Sequence, residues 1–231
     1  MRKLIIILSG LLLIILASYK PIDGLLYANF ISQQGGIPTD SLVAYYPFNG
    51  NANDESGNEH DGTVINATLT SDKDGNSNSA YSFNGSTATI NCNSFSGFSQ
   101  LSVSLWMNLG SISGVRSVMA FGTTLIGMIN NKFVWQANGF GSNTVNGTSN
   151  LTTGVWYHVV IVHSGTGTNE TLIYIDTNRD DDGQDSDDPI SGNLYIGSQT
   201  GTIRFFSGII DDIRIYNKAL TTDEITALYN E

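Results

Sequence analysis

The chain has 231 residues, 40% of them hydrophobic and 10% aromatic, which is enough for one domain with a real core and allows at most two. Ten Lys and Arg stand against 21 Asp and Glu, a formal charge of −11 that excludes the basic face needed for sequence-independent nucleic-acid binding. One cysteine, Cys92, leaves no internal disulfide, so stability has to come from packing, with a bound cation as a further source.

The chain opens with "MRKLIIILSGLLLIILASYK". Arg2 and Lys3 precede an apolar run from Leu4 to Ala17, broken only by Ser9 and Gly10, and small residues follow. A basic start, a short apolar stretch and a small-residue end form a signal-peptide pattern over 1–18, too short for a comfortable membrane span. The expected destination is secretion or the cell surface, with membrane contact only if this segment stays uncleaved. Residues 19–40, punctuated by Pro and Gly, read as a linker, and 41–231 as one domain.

From Ser41 onward short apolar runs are separated by Gly, Asn, Ser and Asp. In "STATINC" Ala88, Ile90 and Cys92 share a face, and Cys92 reads as a buried structural thiol. In "LSVSLWMN" Leu101, Val103, Leu105 and Met107 face one side, and Ser102, Ser104, Trp106 and Asn108 the other. "WYHVVIVH" and "NETLIYID" are apolar on both faces, the mark of strands covered on both sides. Period-two runs with turn signals between them predict an all-β antiparallel sandwich or barrel. One helix is expected, at "LTTDEITALYNE": Thr221 and Glu224 form a capping box, and Leu220 and Ile225 a hydrophobic staple.

Five segments then fall into a familiar order. "SLVAYYPFNGNANDESGNEHDGTV", "LSVSLWMN", "GVWYHVVIVHSG", "LYIGS" and "FSGIIDDIRIYNKALTTDEITALY" together resemble the laminin-G-like, concanavalin A-like jelly-roll domains of secreted bacterial proteins. The matches run from Ser41 to Tyr229, and the last block is the most specific. The resemblance implies a two-sheet antiparallel jelly-roll sandwich of about a dozen strands with a short C-terminal helix.

No catalytic constellation is visible. Some jelly rolls of this shape are glycoside hydrolases that set two carboxylates along one strand. Here Glu55 and Glu59 lie in an Asn- and Gly-rich loop, Glu170 follows a turn, Glu224 belongs to the helix cap and Glu231 is terminal. His60, His158 and His163 are scattered, and neither a G-x-S-x-G elbow nor an HExxH motif occurs. The reading is a non-catalytic binding module for carbohydrate or a cell-surface protein. A glycan-active hydrolase of the same fold and a purely structural adhesion module are the alternatives.

Two places suggest a cation. Period two from Ile209, Ile213 and Ile215 turns Asp211 toward the core, where a carboxylate needs a donor, a cation or a counter-charge. The family resemblance implies a structural Ca²⁺ joining the first loop to the last strand, on Asp54 and Asp211 with backbone oxygens near Asn49 and Gly57. The second place is "DTNRDDDGQDSDD" at 176–188, with seven Asp. It starts like an EF-hand loop but reaches Pro189 where a bidentate Glu belongs, and strand patterns rather than helices flank it. It reads either as a solvated hairpin turning at Asp182-Gly183, or as a looser Ca²⁺ loop on Asp176, Asn178, Asp180 and Asp182.

For ligand stacking, Trp106, Trp135 and Phe140 are the candidates, against a default in which aromatic residues fill the sandwich. The loops at 138–150 and 164–170 are the expected places for binding. Asn66, Asn84, Asn146, Asn150 and Asn169 match the N-x-[S/T] acceptor pattern.

Overall fold

A computed structural model describes residues 36–136, 144–165, 171–181 and 190–231, with two short strands near the N-terminus. The chain divides into Met1–Gly35 and Gly36–Glu231. In the first unit β1 (Ile6–Leu8) and β2 (Leu11–Leu13) pair antiparallel within the apolar run. Among the described residues no helix is long and apolar enough to cross a membrane.

The second unit is a sandwich of two antiparallel sheets. The first sheet holds β4 (Thr63–Ile65), β7 (Thr89–Phe98), β9 (Val115–Phe121), β10 (Thr124–Ile129), β11 (Lys132–Gln136), β12 (Thr144–Asn146) and β16 (Ile190–Ile196), in the spatial order β12-β11-β10-β9-β16-β7-β4. The second holds β5 (Thr68–Thr70), β6 (Ala80–Asn84), β8 (Leu101–Leu109), β13 (Trp156–His163), β14 (Thr171–Ile175), β15 (Asn178–Arg179) and β17 (Ser207–Tyr216), in the order β15-β14-β13-β8-β17-β6-β5. The eighth strand of that sheet, β3 (Leu42–Tyr46), pairs with the C-terminal half of β17. The jelly-roll expectation holds.

Strand alternation sorts the side chains. Leu101, Val103, Leu105 and Met107 of β8 and Val159 and Ile161 of β13 enter the layer between the sheets. There they meet Ile90 and Cys92 of β7, Phe121 of β9 and Trp135 of β11. Full burial of each large apolar side chain stabilises by roughly 1.5–3 kcal/mol. The opposite face of β13 is also apolar, as its sequence requires: Val160 and Val162 join Tyr174 and Tyr216 beneath Leu220, Ile225 and Leu228. Those last residues belong to or precede α1 (Thr222–Tyr229), whose predicted capping box is present. An eight-residue helix is marginal alone, so Ile225 and Leu228 hold it by packing on the sheet. Cys92 is buried, and burial pushes its thiol up to about 12, which makes it an inert core group. Gly197, in "LYIGS", has φ +81, and a Cβ there would stand 2.1 Å from the Phe83 ring, so only glycine fits.

One local reading needs correction. Pairing of β17 with β8 runs Ile210↔Met107 and Asp211↔Trp106, then slips to Arg214↔Ser104, so Asp212 and Ile213 both face Leu105. Asp212 has φ +49 at this bulge. Ile210, Ile213 and Ile215 therefore enter the core, and Asp211 lies on the outer face with Arg214 and Tyr216 rather than among the isoleucines. A tight hairpin follows β14. It turns at Asp176 and Thr177, with φ +48 and +70, and Ile175 pairs with Asn178. Two successive positive φ values make the tight primed turn that suits twisted antiparallel strands. The expected turn at Asp182-Gly183 lies outside the described residues.

Candidate functional site

A cavity of about 380 Å³ opens at one end of the sandwich. Its aromatic wall comes from the end of β7, where Phe95 is buried and Phe98 half-buried. The β7–β8 connection supplies Ser99 and Gln100 to the rim, Asn217 follows β17, and Ser94 and Gly97 complete the β7 side. Val43 of β3 and His60 close the cavity from the first loop. Among the described residues no carboxylate lines it. The rim is hydroxyl and amide, and the wall is aromatic.

His60 is placed by the loop behind it. Its ring stacks on Phe95 at 4.1 Å and 19°. Its carbonyl accepts from the Tyr46 hydroxyl at 2.7 Å, and its backbone N–H donates to Asp54 Oδ2 at 3.1 Å. Asp54 Oδ1 accepts from the N–H groups of Tyr45 and Ser56, both at 2.9 Å. The Asp54 N–H donates to Asp61 at 2.8 Å. Burial pushes the Asp54 carboxyl up, but the converging N–H groups outweigh it and hold it below the usual carboxylate range. Asp54 thus staples the loop that carries His60.

Asp211 has a different setting. It is 6% exposed, and among the described residues its Oδ1 accepts one bond, from the Asp212 N–H at 2.7 Å. Burial, then the charge of Asp212, pushes its carboxyl up to about 8. Asp54 and Asp211 have separate hydrogen-bond partners: Asp54 accepts from the Tyr45, Ser56 and His60 N–H groups, whereas Asp211 accepts from the Asp212 N–H opposite Trp106 on the outer face. Nearby, Arg214 is buried: it pairs with Asp212 and Glu231 at 2.8 and 2.7 Å and lies 4.1 Å over the Tyr45 ring.

The acidic stretch is also dispersed. Asp176 Oδ1 accepts from the His158 N–H at 2.9 Å, closing the turn. Asn178 donates to the Asp176 carbonyl at 3.1 Å. Asp180 is 4% exposed, and its Oδ1 accepts from the Thr148 hydroxyl and from the Ser149 N–H and hydroxyl, which ties the hairpin to the 147–149 loop. Asp182 lies outside the described residues. Among the described residues no group of three His, Cys, Asp or Glu side chains stands where it could hold a metal ion.

Of the aromatic candidates, Trp135 is fully buried between the sheets, stacked on His163 at 5.8 Å. Trp106 is 8% exposed on the outer face, beside His158 and Tyr229. Phe140 lies outside the described residues. Sequence reasoning missed the cavity, whose walls come from residues as far apart as His60, Phe95 and Asn217. The one available signal was the Phe95 and Phe98 pair at a strand end.

Comparison with known proteins gives one family and a set of folds. A family model described as the concanavalin A-like lectin/glucanases superfamily matches residues 74–226, about two thirds of the chain. No curated protein matches. Among solved structures, domain 4 of AbnA, a GH43 extracellular arabinanase from Geobacillus stearothermophilus, was determined in complex with arabinotriose. It is 21% identical with a TM-score of 0.63, over 82% of this chain and 98% of that domain. The binding domain of botulinum neurotoxin DC, solved with SialylT, is 17% identical with a TM-score of 0.60, over 83% of this chain and 52% of that one. A Trypanosoma rangeli sialidase mutant is 15% identical with a TM-score of 0.64, over 84% of this chain and 33% of that one. The chain thus spans nearly the whole of domain 4 of AbnA and about half or a third of the other two chains.

Proposed function

Because the chain belongs to the concanavalin A-like lectin/glucanases superfamily, we propose that it is an exported, non-catalytic module that binds neutral saccharides in the cavity between His60, Phe98 and Asn217. The observation that carries this reading is the cavity's lining. An aromatic wall takes the apolar face of a sugar ring, and amides and hydroxyls take its hydroxyls. A hydrolase would need paired carboxylates facing the bound sugar, and the described residues of this lining include none. The arabinotriose complex of the AbnA domain supports the same ligand class for a whole domain of this size. Export is supported by the N-terminal pattern of Arg2, Lys3 and the apolar run.

A glycan array, followed by calorimetry on the hits, tests the proposal. Binding that falls at least tenfold in Phe98→Ala and in Asn217→Ala, with no release of reducing sugar, is the expected result. Release of sugar from any polymer, or binding untouched by both substitutions, overturns it. The structural Ca²⁺ implied by the family resemblance is a separate proposal. Its support is the oxygen-rich loop around Asp54 and Asp61. A melting temperature lowered by excess chelator supports it, and an unchanged one removes it.

A further inference from the structure

A second cluster lies on the outer face of the eight-stranded sheet. His158, Trp106 and Asp211 form one row across β13, β8 and β17. The Tyr229 ring at the end of α1 stacks over Trp106 at 5.6 Å and 25°, and the His158 ring lies 5.1 Å from Trp106. His158 Nε2 pairs with the Ser104 hydroxyl at 2.8 Å, whereas its Nδ1 is buried with no partner in a residue 1% exposed. Burial pushes the imidazole down to about 3, so the ring is a neutral wall at physiological pH.

A cation already sits against this wall. The Lys73 ammonium lies 5.1 Å from the Trp106 ring centroid, within reach of the negative face of the indole. Its charge acts on Asp211, His158 and Glu231. Among the described residues Lys73, its side chain 21% exposed, has one ion pair, 2.8 Å to Asp74, whose side chain is 64% exposed, so solvent screens it. The backbone of its turn is fixed separately: Asp72 Oδ1 accepts from the N–H groups of Asp74 and Asn76 at 2.9 and 2.8 Å. The side chain can therefore leave the indole without unmaking the turn. Arg214, the neighbouring cation, is committed to Asp212, Glu231 and the Tyr45 ring.

We propose that Trp106, His158, Tyr229 and Asp211 form an ammonium-binding site that the chain's own Lys73 occupies as a tethered ligand, and that takes the alkylammonium group of an external ligand when Lys73 swings out. The aromatic rings supply the cation–π wall, and Asp211 supplies a carboxyl oxygen at its edge that becomes a counter-charge only above about pH 8. A tethered lysine competes at a high effective concentration, so the unmodified site is closed to weak ligands and opens to those that also bind elsewhere on the module. This inference does not rest on saccharide binding in the cavity.

The test titrates n-butylammonium into the full chain and into Lys73→Ala and Lys73→Gln, followed by calorimetry and tryptophan fluorescence, with n-butanol as the uncharged control. The expected result is saturable binding at least tenfold tighter in both variants than in the parent, no binding of n-butanol, and, at about pH 9 where the Asp211 carboxyl is ionised, a loss of at least tenfold when Asp211→Asn is added. Absence of saturable n-butylammonium binding in a Lys73 variant that melts as the parent does overturns the site. Equal affinity in parent and variants overturns the tethered-occupant role, and equal binding of n-butanol overturns the ammonium specificity.

Discussion

Asp54 and Asp211 are both carboxylates near the core, and their surroundings drive them in opposite directions. Asp54 lies in a loop that curls three N–H groups onto it, from Tyr45, Ser56 and His60, and its carboxyl is held below the usual range. Asp211 lies at a strand bulge that offers one N–H, from Asp212, and burial lifts its carboxyl to about 8. Depth of burial alone does not decide the fate of a carboxylate. What decides it is how many backbone donors the local conformation can aim at it. An irregular loop can converge several, whereas a strand has already committed most of its amides to the ladder.

This contrast can be broken at several points. The largest effect is expected for Asp54→Ala, which strands three N–H groups and frees the loop behind His60. It should cost about 2–4 kcal/mol in denaturant unfolding, whereas Asp54→Asn, which keeps an acceptor oxygen, should cost less. At Asp211 the sign reverses. Its folded pKa lies above the unfolded value, so the folded state holds a proton that the unfolded chain has released, and stability falls as pH rises from about 4 to about 8. Asp211→Asn should therefore melt close to the parent near pH 4 and gain on it by a few kcal/mol at most by pH 8. A constant difference across that range would contradict the assignment.

His158 supplies the opposite slope. Its folded pKa is depressed, so the stability it contributes is complete above about 6.5 and is lost as pH falls toward about 3. His158→Gln gives up packing but removes this proton, so its deficit against the parent should narrow by up to about 1.4 kcal/mol per pH unit below 6.5. The smallest effect is expected for Asp74→Ala, which removes an exposed ion pair and should change stability by less than about 0.5 kcal/mol.

Much of the fold was legible because its signals are local. Alternation along 101–109 fixed which face of β8 is buried, the doubly apolar run at 156–163 marked a strand covered by α1, and Thr221 with Glu224 marked the helix start. The site was less legible for identifiable reasons. A single inserted residue at Asp212 reversed the face of Asp211, and nothing in "GIIDDIRIY" distinguishes a bulge from a regular strand. Asp176 and Thr177 make a primed turn without the glycine that normally announces one. The cavity depends on β7, the 51–61 loop and the residue after β17 meeting at one end of the sandwich, a juxtaposition set by topology.

The most direct test of the binding account is a titration of the ¹⁵N-labelled chain with the tightest neutral oligosaccharide from the array, read by backbone amide shifts. The account predicts saturable shifts concentrated at His60, Ser94 to Gln100 and Asn217, abolished in Phe98→Ala. Saturable shifts confined to another surface, or none at saturating sugar, would contradict it.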